Sequence, residues 1–243
     1  MRPLLIVRTL FCYLLIGVGA LLFVVPCLVI ACLPAKYRYN NKLFFWLLDL
    51  FYKWVMFSSL AKITVTGKEN LPTQPAIFVG NHQSAFDIPV LGSLCNGYPH
   101  VWLVLSYYIT TPVLGFIITR MFIPVDRDDP GKAAGSLRKV FKFVHERDVH
   151  LILFPEGMRS ADGTIHTFYE GFALVAKKTN RPLIPVYMPT TGKIYPIYSF
   201  FVYAYPLDVI IGKPMYMNED ETEEAFTQRV QSWFVEEYKK YIS

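Results

Sequence analysis

Charge is scarce in this chain of 243 residues: 18% of them are Asp, Glu, Lys or Arg, against 53% hydrophobic. A soluble domain of this size carries about 25% charged residues. The deficit argues against a wholly water-solvated body, and the mean hydropathy of +0.31 points the same way. No run of basic residues interleaves with stacking aromatics, which excludes a nucleic-acid groove. Cysteine is rare as well. Cys12, Cys27, Cys32 and Cys95 form no CxxC pair, and three of them lie inside one apolar segment. They are read as small apolar residues, and no metal-ligand spacing is present. Repeats and low-complexity linkers are also missing. The net charge of +5 suits an anionic membrane surface or an anionic substrate.

What the chain does have is an uncharged stretch from Thr9 to Leu33, long enough for a hydrocarbon core of about 30 Å. It exceeds the h-region of a cleaved signal peptide, and no small-residue cleavage site follows it. Pro26 is expected to kink it. A second apolar segment, Lys42 to Leu60, carries Asp49 and Lys53, which make a deep independent span costly and favour an interfacial helix. Arg2 and Arg8 precede the first segment, and Lys36, Arg38 and Lys42 follow it. The positive-inside rule cannot place both flanks in the cytosol around one clean span. The expectation is a two-helix anchor over residues 1–60, re-entrant at Pro26, with residues 61–243 on the cytoplasmic side.

From Ala61 short apolar runs alternate with amphipathic stretches. Strands are expected at Lys62–Thr66, Ala76–Val79, Val101–Leu105, Met121–Val125, His150–Phe154, Leu183–Val186 and Leu207–Ile211. Helices are expected over Gly131–Arg147 and Glu170–Lys178. A last helix has Asn218 as its cap, Glu221 at the capping-box position and an acidic start. This alternation defines an α/β domain, a mixed sheet flanked by helices. The aromatic stretch Tyr195 to Tyr205 reads equally well as a lipid contact or a buried strand.

Three polar clusters follow apolar strands. In Gly80-Asn81-His82-Gln83-Ser84-Ala85-Phe86-Asp87, a turn with Asp87 opening a helix would bring the carboxylate to the imidazole, holding one tautomer so that the other nitrogen acts as a base. On spacing alone, a loop histidine and a helix-capping aspartate fit better. In Phe154-Pro155-Glu156-Gly157-Met158-Arg159-Ser160, Glu156 can bond a substrate hydroxyl or hold Arg159, and Arg159 can fork onto phosphate; a turn with a surface ion pair fits too. In Ile123-Pro124-Val125-Asp126-Arg127, Arg127 is a second candidate for an anion, weak when taken alone.

The clusters occur together and in order, and so the chain resembles the membrane glycerophospholipid acyltransferases, in their 1-acylglycerol-3-phosphate acyltransferase (PlsC-like) branch, from roughly Thr66 to Pro214. NHQSAFD matches the family's HxxxxD, FIPVDR its second motif, FPEGMRS its third, and LIPV, ending at Val186, is similar to its fourth. The resemblance implies His82 and Asp87 as catalytic residues and Arg127, Glu156, Gly157 and Arg159 as the acceptor-binding set. It implies direct transfer from acyl-CoA or acyl carrier protein, as co-substrate, to the sn-2 hydroxyl of lysophosphatidic acid. The product is phosphatidic acid, with no acyl-enzyme, no metal and no cofactor. A bilayer location with a cytoplasmic active site follows (the inner membrane in a bacterium). Two departures stand out. LSYYITTPVLG, Leu105 to Gly115, has no basic residue, and Phe168-Tyr169-Glu170-Gly171 has glutamate where many members have lysine. A less cationic pocket raises another lyso-lipid as the alternative acceptor. A lipid-binding protein without turnover is a competing class. So is a metal hydrolase using His82, Asp87 and Glu156, but no second histidine stands at ligand spacing.

Overall fold

The computed structural model describes every residue except 1, 40, 113, 127–129 and 243. Helix α1 (Arg2–Gly19) runs through a π-helical turn at Ala20–Val24 into α2 (Val25–Ala31). Pro26 has no N–H to give and its ring crowds the carbonyl four residues back, so the wider turn takes up the mismatch. The result is one helix from Pro3 to Ala31, about 43 Å long, rather than a segment that doubles back at Pro26. Among the described residues it is the one helix long and apolar enough to cross a membrane. The chain reverses instead through the short α3 (Ala35–Arg38) into α4 (Lys42–Ser58), which Asn41 caps by accepting from Phe44 N–H at 3.0 Å.

The two long helices form an antiparallel hairpin. Trp54 Nε1–H donates to Leu15 O at 2.6 Å, and a Cβ at Gly19 would strike the Trp54 ring. Asp49 and Lys53 pair at 2.6 Å, Asp49 is buried, and Lys53 also bonds Asn96. The charges that disfavour deep insertion of α4 therefore turn toward the body of the protein.

That body is a seven-stranded sheet. Its strands are β1 (Ile63–Thr66), β2 (Ile77–Gly80), β3 (His100–Leu105), β4 (Ile123–Val125), β5 (His150–Leu153), β6 (Leu183–Tyr187) and β7 (Leu207–Ile211), in the order β1-β7-β6-β2-β5-β3-β4. All seven fall on the expected runs. Neighbours are parallel except β6 and β7. β2 and β5 are buried along their whole length, as central strands of a sheet covered on both faces are. The remaining helices are α5 (Asp87–Ser93), α6 (Leu114–Met121), α7 (Pro130–Glu146), α8 (Gly171–Thr179), α9 (Thr191–Ile194) and α10 (Glu223–Ile242). Phe172, Phe226 and Phe234 on α8 and α10 fill one core, Phe78, Leu91 and Trp102 belong to a second, over which α4 and α5 pack, and Cys27, Ile30, Phe44, Phe45 and Met121 form a third between α2, α4 and α6.

Two expectations are corrected. The last helix begins at Glu223, with Thr222 Oγ1 accepting from Ala225 N–H at 3.1 Å; Asn218 and Glu221 make a turn just ahead of it, Asn218 N–H donating to the Glu221 carboxylate. Tyr195 to Tyr205 forms no strand. Val202 is buried against α1, where Thr9 accepts its N–H and Arg8 donates to its carbonyl, while Tyr198 and Phe200 are exposed.

Candidate active site

β6, β2, β5, β3 and β4 run parallel, so five carboxyl ends open on one edge of the sheet, where ligands of α/β sheets gather. β2 ends at Gly80. Asn81 then locks it to the end of β6, its amide accepting from Met188 N–H at 2.7 Å and donating to Met188 O at 3.1 Å. The chain turns, and Asp87 is the first residue of α5. This turn closes the gap that a continuous helix would leave between His82 and Asp87. Asp87 Oδ2 lies 2.7 Å from His82 Nδ1 and also accepts from the N–H groups of Gln83 (2.6 Å) and Ser84 (2.8 Å). Asp87 is wholly buried. An ionised carboxylate only accepts, so the proton of the imidazole sits on Nδ1 and the lone pair on Nε2. The ring lies flat on Phe154, centroids 3.9 Å apart and planes within 5°.

Glu156 follows β5 and is 3% exposed. The spacing groups it with Arg159 as an acceptor ligand, yet its two oxygens accept main-chain N–H groups, His82 at 2.9 Å and His166 at 3.0 Å. Burial pushes its carboxyl up to about 7, and these two hydrogen bonds offset part of the rise. Gly157 takes the left-handed conformation, φ +67°, that returns the chain beside His82. Ser160 N–H then donates to His82 O at 2.7 Å. Arg159 points outward, its Nη2 3.4 Å from the Tyr108 hydroxyl in the 3₁₀ turn after β3. Arg127 lies outside the described residues. Among the described residues, no three His, Cys, Asp or Glu side chains converge to hold a metal ion.

Spacing did not reveal Phe154, Ser160, Tyr108 or Asn81. Phe154 directly follows β5, and the register that pairs Val79 with Leu153, which only the structure shows, sets it beside the end of β2.

A histidine whose Nδ1 meets a buried carboxylate, at the carboxyl edge of a parallel sheet, is an arrangement that can serve general-base chemistry. The acyltransferase family model matches residues 62–189, just over half of the chain, and the protein belongs to that family. It is 35% identical to a chloroplastic 1-acyl-sn-glycerol-3-phosphate acyltransferase of Brassica napus over 159 residues, 64% of this chain and 45% of that one. The chain thus spans under half the length of that relative. An enzyme of the same name from Pseudomonas aeruginosa is 25% identical over 235 residues, 95% of this chain and 90% of its own. The crystal structure of the lysophosphatidic acid acyltransferase PlsC from Thermotoga maritima superposes with a TM-score of 0.81 at 23% identity, covering 100% of this chain and 98% of that one. That likeness bears out the mixed-sheet acyltransferase fold.

Proposed function

We propose that the protein is a membrane-bound 1-acyl-sn-glycerol-3-phosphate O-acyltransferase that makes phosphatidic acid. The observation carrying this reading is the His82–Asp87 pair at 2.7 Å with Nε2 left open. Nε2 takes the proton of the sn-2 hydroxyl of lysophosphatidic acid as that oxygen attacks the thioester carbonyl. The C–S bond of acyl-CoA or acyl carrier protein breaks, and the imidazolium returns the proton to the leaving thiolate. Asp87 stabilises the imidazolium. Arg159, with Arg127, binds the acceptor phosphate by charge-assisted hydrogen bonds. Glu156 and Gly157 serve as positioning residues, holding the main chain of His82.

The hairpin supplies the membrane contact. Leu4, Leu14, Leu21, Val29, Trp46 and Phe57 are each more than half exposed along it. Arg8 bonds Val202 O at one end and Arg38 bonds Arg120 O at 2.9 Å at the other, so one body holds both ends. A helix held in this way lies along the membrane plane, which accommodates cationic flanks on both sides of it. The body then lies on the cytoplasmic face.

Purified protein assayed with lysophosphatidic acid and other lyso-lipids, against acyl-CoA and acyl carrier protein, tests the reading. Lysophosphatidic acid should be the preferred acceptor. His82→Ala should lose at least about 10³-fold in turnover and keep its membrane association. Near-normal turnover removes His82 as the base, and preference for another lyso-lipid moves the acceptor assignment.

A further inference from the structure

The loop between α9 and β7 has no part in the site described above. Between Lys193 and Asp208 the chain carries no charged residue and six aromatic ones. Tyr198 is fully exposed, Phe200 is more than half exposed, and Tyr203 is exposed as well. The rings form a line: Tyr13 on α1, Phe200, Phe201 and Tyr203 follow one another at centroid separations of 5.1, 5.9 and 6.4 Å. Tyr198 stands at φ +65°, a left-handed conformation that bulky residues rarely enter. In water such a residue, with its ring fully solvated, gains nothing in return for the strain. Contiguous exposed apolar surface of this kind marks a contact with a partner or a membrane.

The loop's own contacts fix where this surface lies. Its root is bonded to the catalytic turn: the Ser84 hydroxyl donates to Tyr195 O at 2.6 Å, and Ser84 N–H donates to Asp87. It lies on the face of the sheet that carries the His82 ring, because Tyr195 and Val202 pack in the same core as Phe154, on which that ring stacks. Its far end is bonded to α1: the Tyr13 hydroxyl donates to Phe200 O at 3.0 Å, and Arg8 and Thr9 hold Val202. Leu10, three residues before Tyr13 and four before Leu14, is more than half exposed. The aromatic line is therefore continuous with the lipid-facing side of the hairpin at one end and with the catalytic turn at the other.

Uncharged tyrosines and phenylalanines suit the headgroup layer of a bilayer, where an apolar ring is buried and a hydroxyl stays wet. A protein partner seated on this line would also have to cover Leu10 and Tyr13 of the hairpin. We propose that the loop is a second lipid contact, an aromatic lip that seats Tyr198 and Phe200 in the headgroup layer of the leaflet holding the hairpin, so that a lyso-lipid passes over it from the bilayer to His82. The hairpin holds the protein on the membrane, and the lip makes the contact at the site itself. The proposal rests on the membrane-bound acyltransferase reading.

An environment-sensitive nitrobenzoxadiazole label reads the contact without any need for activity. Tyr198→Cys, in the full chain carrying Cys32→Ser, leaves one exposed cysteine to label, since Cys12, Cys27 and Cys95 are buried. On vesicles of phosphatidylcholine and phosphatidylglycerol the label should brighten at least about twofold and be quenched by spin-labelled lipid. A label at Gln228→Cys, exposed on α10 over the other face of the sheet, should do neither. Tyr198→Ser with Phe200→Ser tests the route. It should raise KM for long-chain lysophosphatidic acid in vesicles about tenfold relative to KM for hexanoyl lysophosphatidic acid, which dissolves as monomers and needs no lip. On vesicle-bound protein, a silent Tyr198→Cys label overturns the proposal, as does an unchanged KM ratio. Brightening with protein concentration alone, without vesicles, assigns the loop to a contact between copies and also overturns it. Labelled protein that brightens on vesicles while the wild type acylates no lyso-lipid overturns the acyltransferase reading instead.

Discussion

Four contacts hold His82: Asp87 on its ring, Phe154 under it, Glu156 on its N–H and Ser160 on its carbonyl. Three of them come from, or just after, the end of β5, which is why a turn that spacing alone favours as a plain polar loop becomes a rigid mount. Glu156→Gln tests the part played by that mount. A glutamine has one accepting oxygen for two N–H groups, and its NH₂ would face one of them. The expected outcome is a fall in kcat of about 10–100-fold with acceptor KM little changed. A raised acceptor KM at constant kcat would instead make Glu156 a substrate ligand. The His82–Asp87 pair was legible because strand, turn and helix signals bracket it. The orientation of Glu156 was not, since its partners are main-chain groups, which every residue carries and no spacing betrays.

At the scale of elements, the starts of β3 and β5 carry two buried histidines, His100 and His150. His100 Nδ1 lies 2.9 Å from Tyr98 O and its Nε2 3.3 Å from the Tyr52 hydroxyl, and His150 Nδ1 accepts from Ala76 N–H at 3.0 Å. Burial lowers His100 to about 4, the Tyr98 carbonyl offsetting part of it. Burial, with His100 and Arg181 nearby, lowers His150 to about 3. Both folded values lie below the unfolded 6.5, so the stability these groups contribute is present above pH 6.5 and is lost as pH falls toward 4. Glu156, raised to about 7, works in the opposite direction between pH 7 and 4.5. Thermal midpoints of wild type and His150→Gln, compared between pH 7 and 5, isolate one histidine: the wild type should lose several degrees more than the variant. Equal slopes would show that His150 is charged in the fold. Periodicity located all seven strands, but the start of α10 went to Asn218 because two consecutive turns carry capping residues and only packing chooses between them.

For the whole molecule, the decisive feature is the hairpin laid along the body. Leu14→Glu with Leu21→Glu should weaken co-sedimentation with anionic vesicles by at least about tenfold while leaving the melting transition in detergent unchanged, since both side chains face outward. Equal sedimentation would exclude this face as the lipid contact. Cysteines placed at Arg2 and Lys36, in a Cys32→Ser background, should both react with an impermeant thiol reagent from the same side of sealed vesicles. Reaction from opposite sides would require a span. Composition alone announced lipid here. It left the geometry open, because a helix that lies flat and one that crosses need the same residues; on the proposed reading the tertiary hydrogen bonds at Arg8 and Arg38 favour the flat one.

The tethering of both helix ends to one body has a consequence for the bilayer rather than for the protein. On the proposed reading the molecule floats in a single leaflet and samples only the lyso-lipids of that leaflet. It returns each product to the layer that supplied the acceptor. New two-chain lipid then accumulates on one side alone, and relief of that imbalance requires a separate lipid-translocating activity.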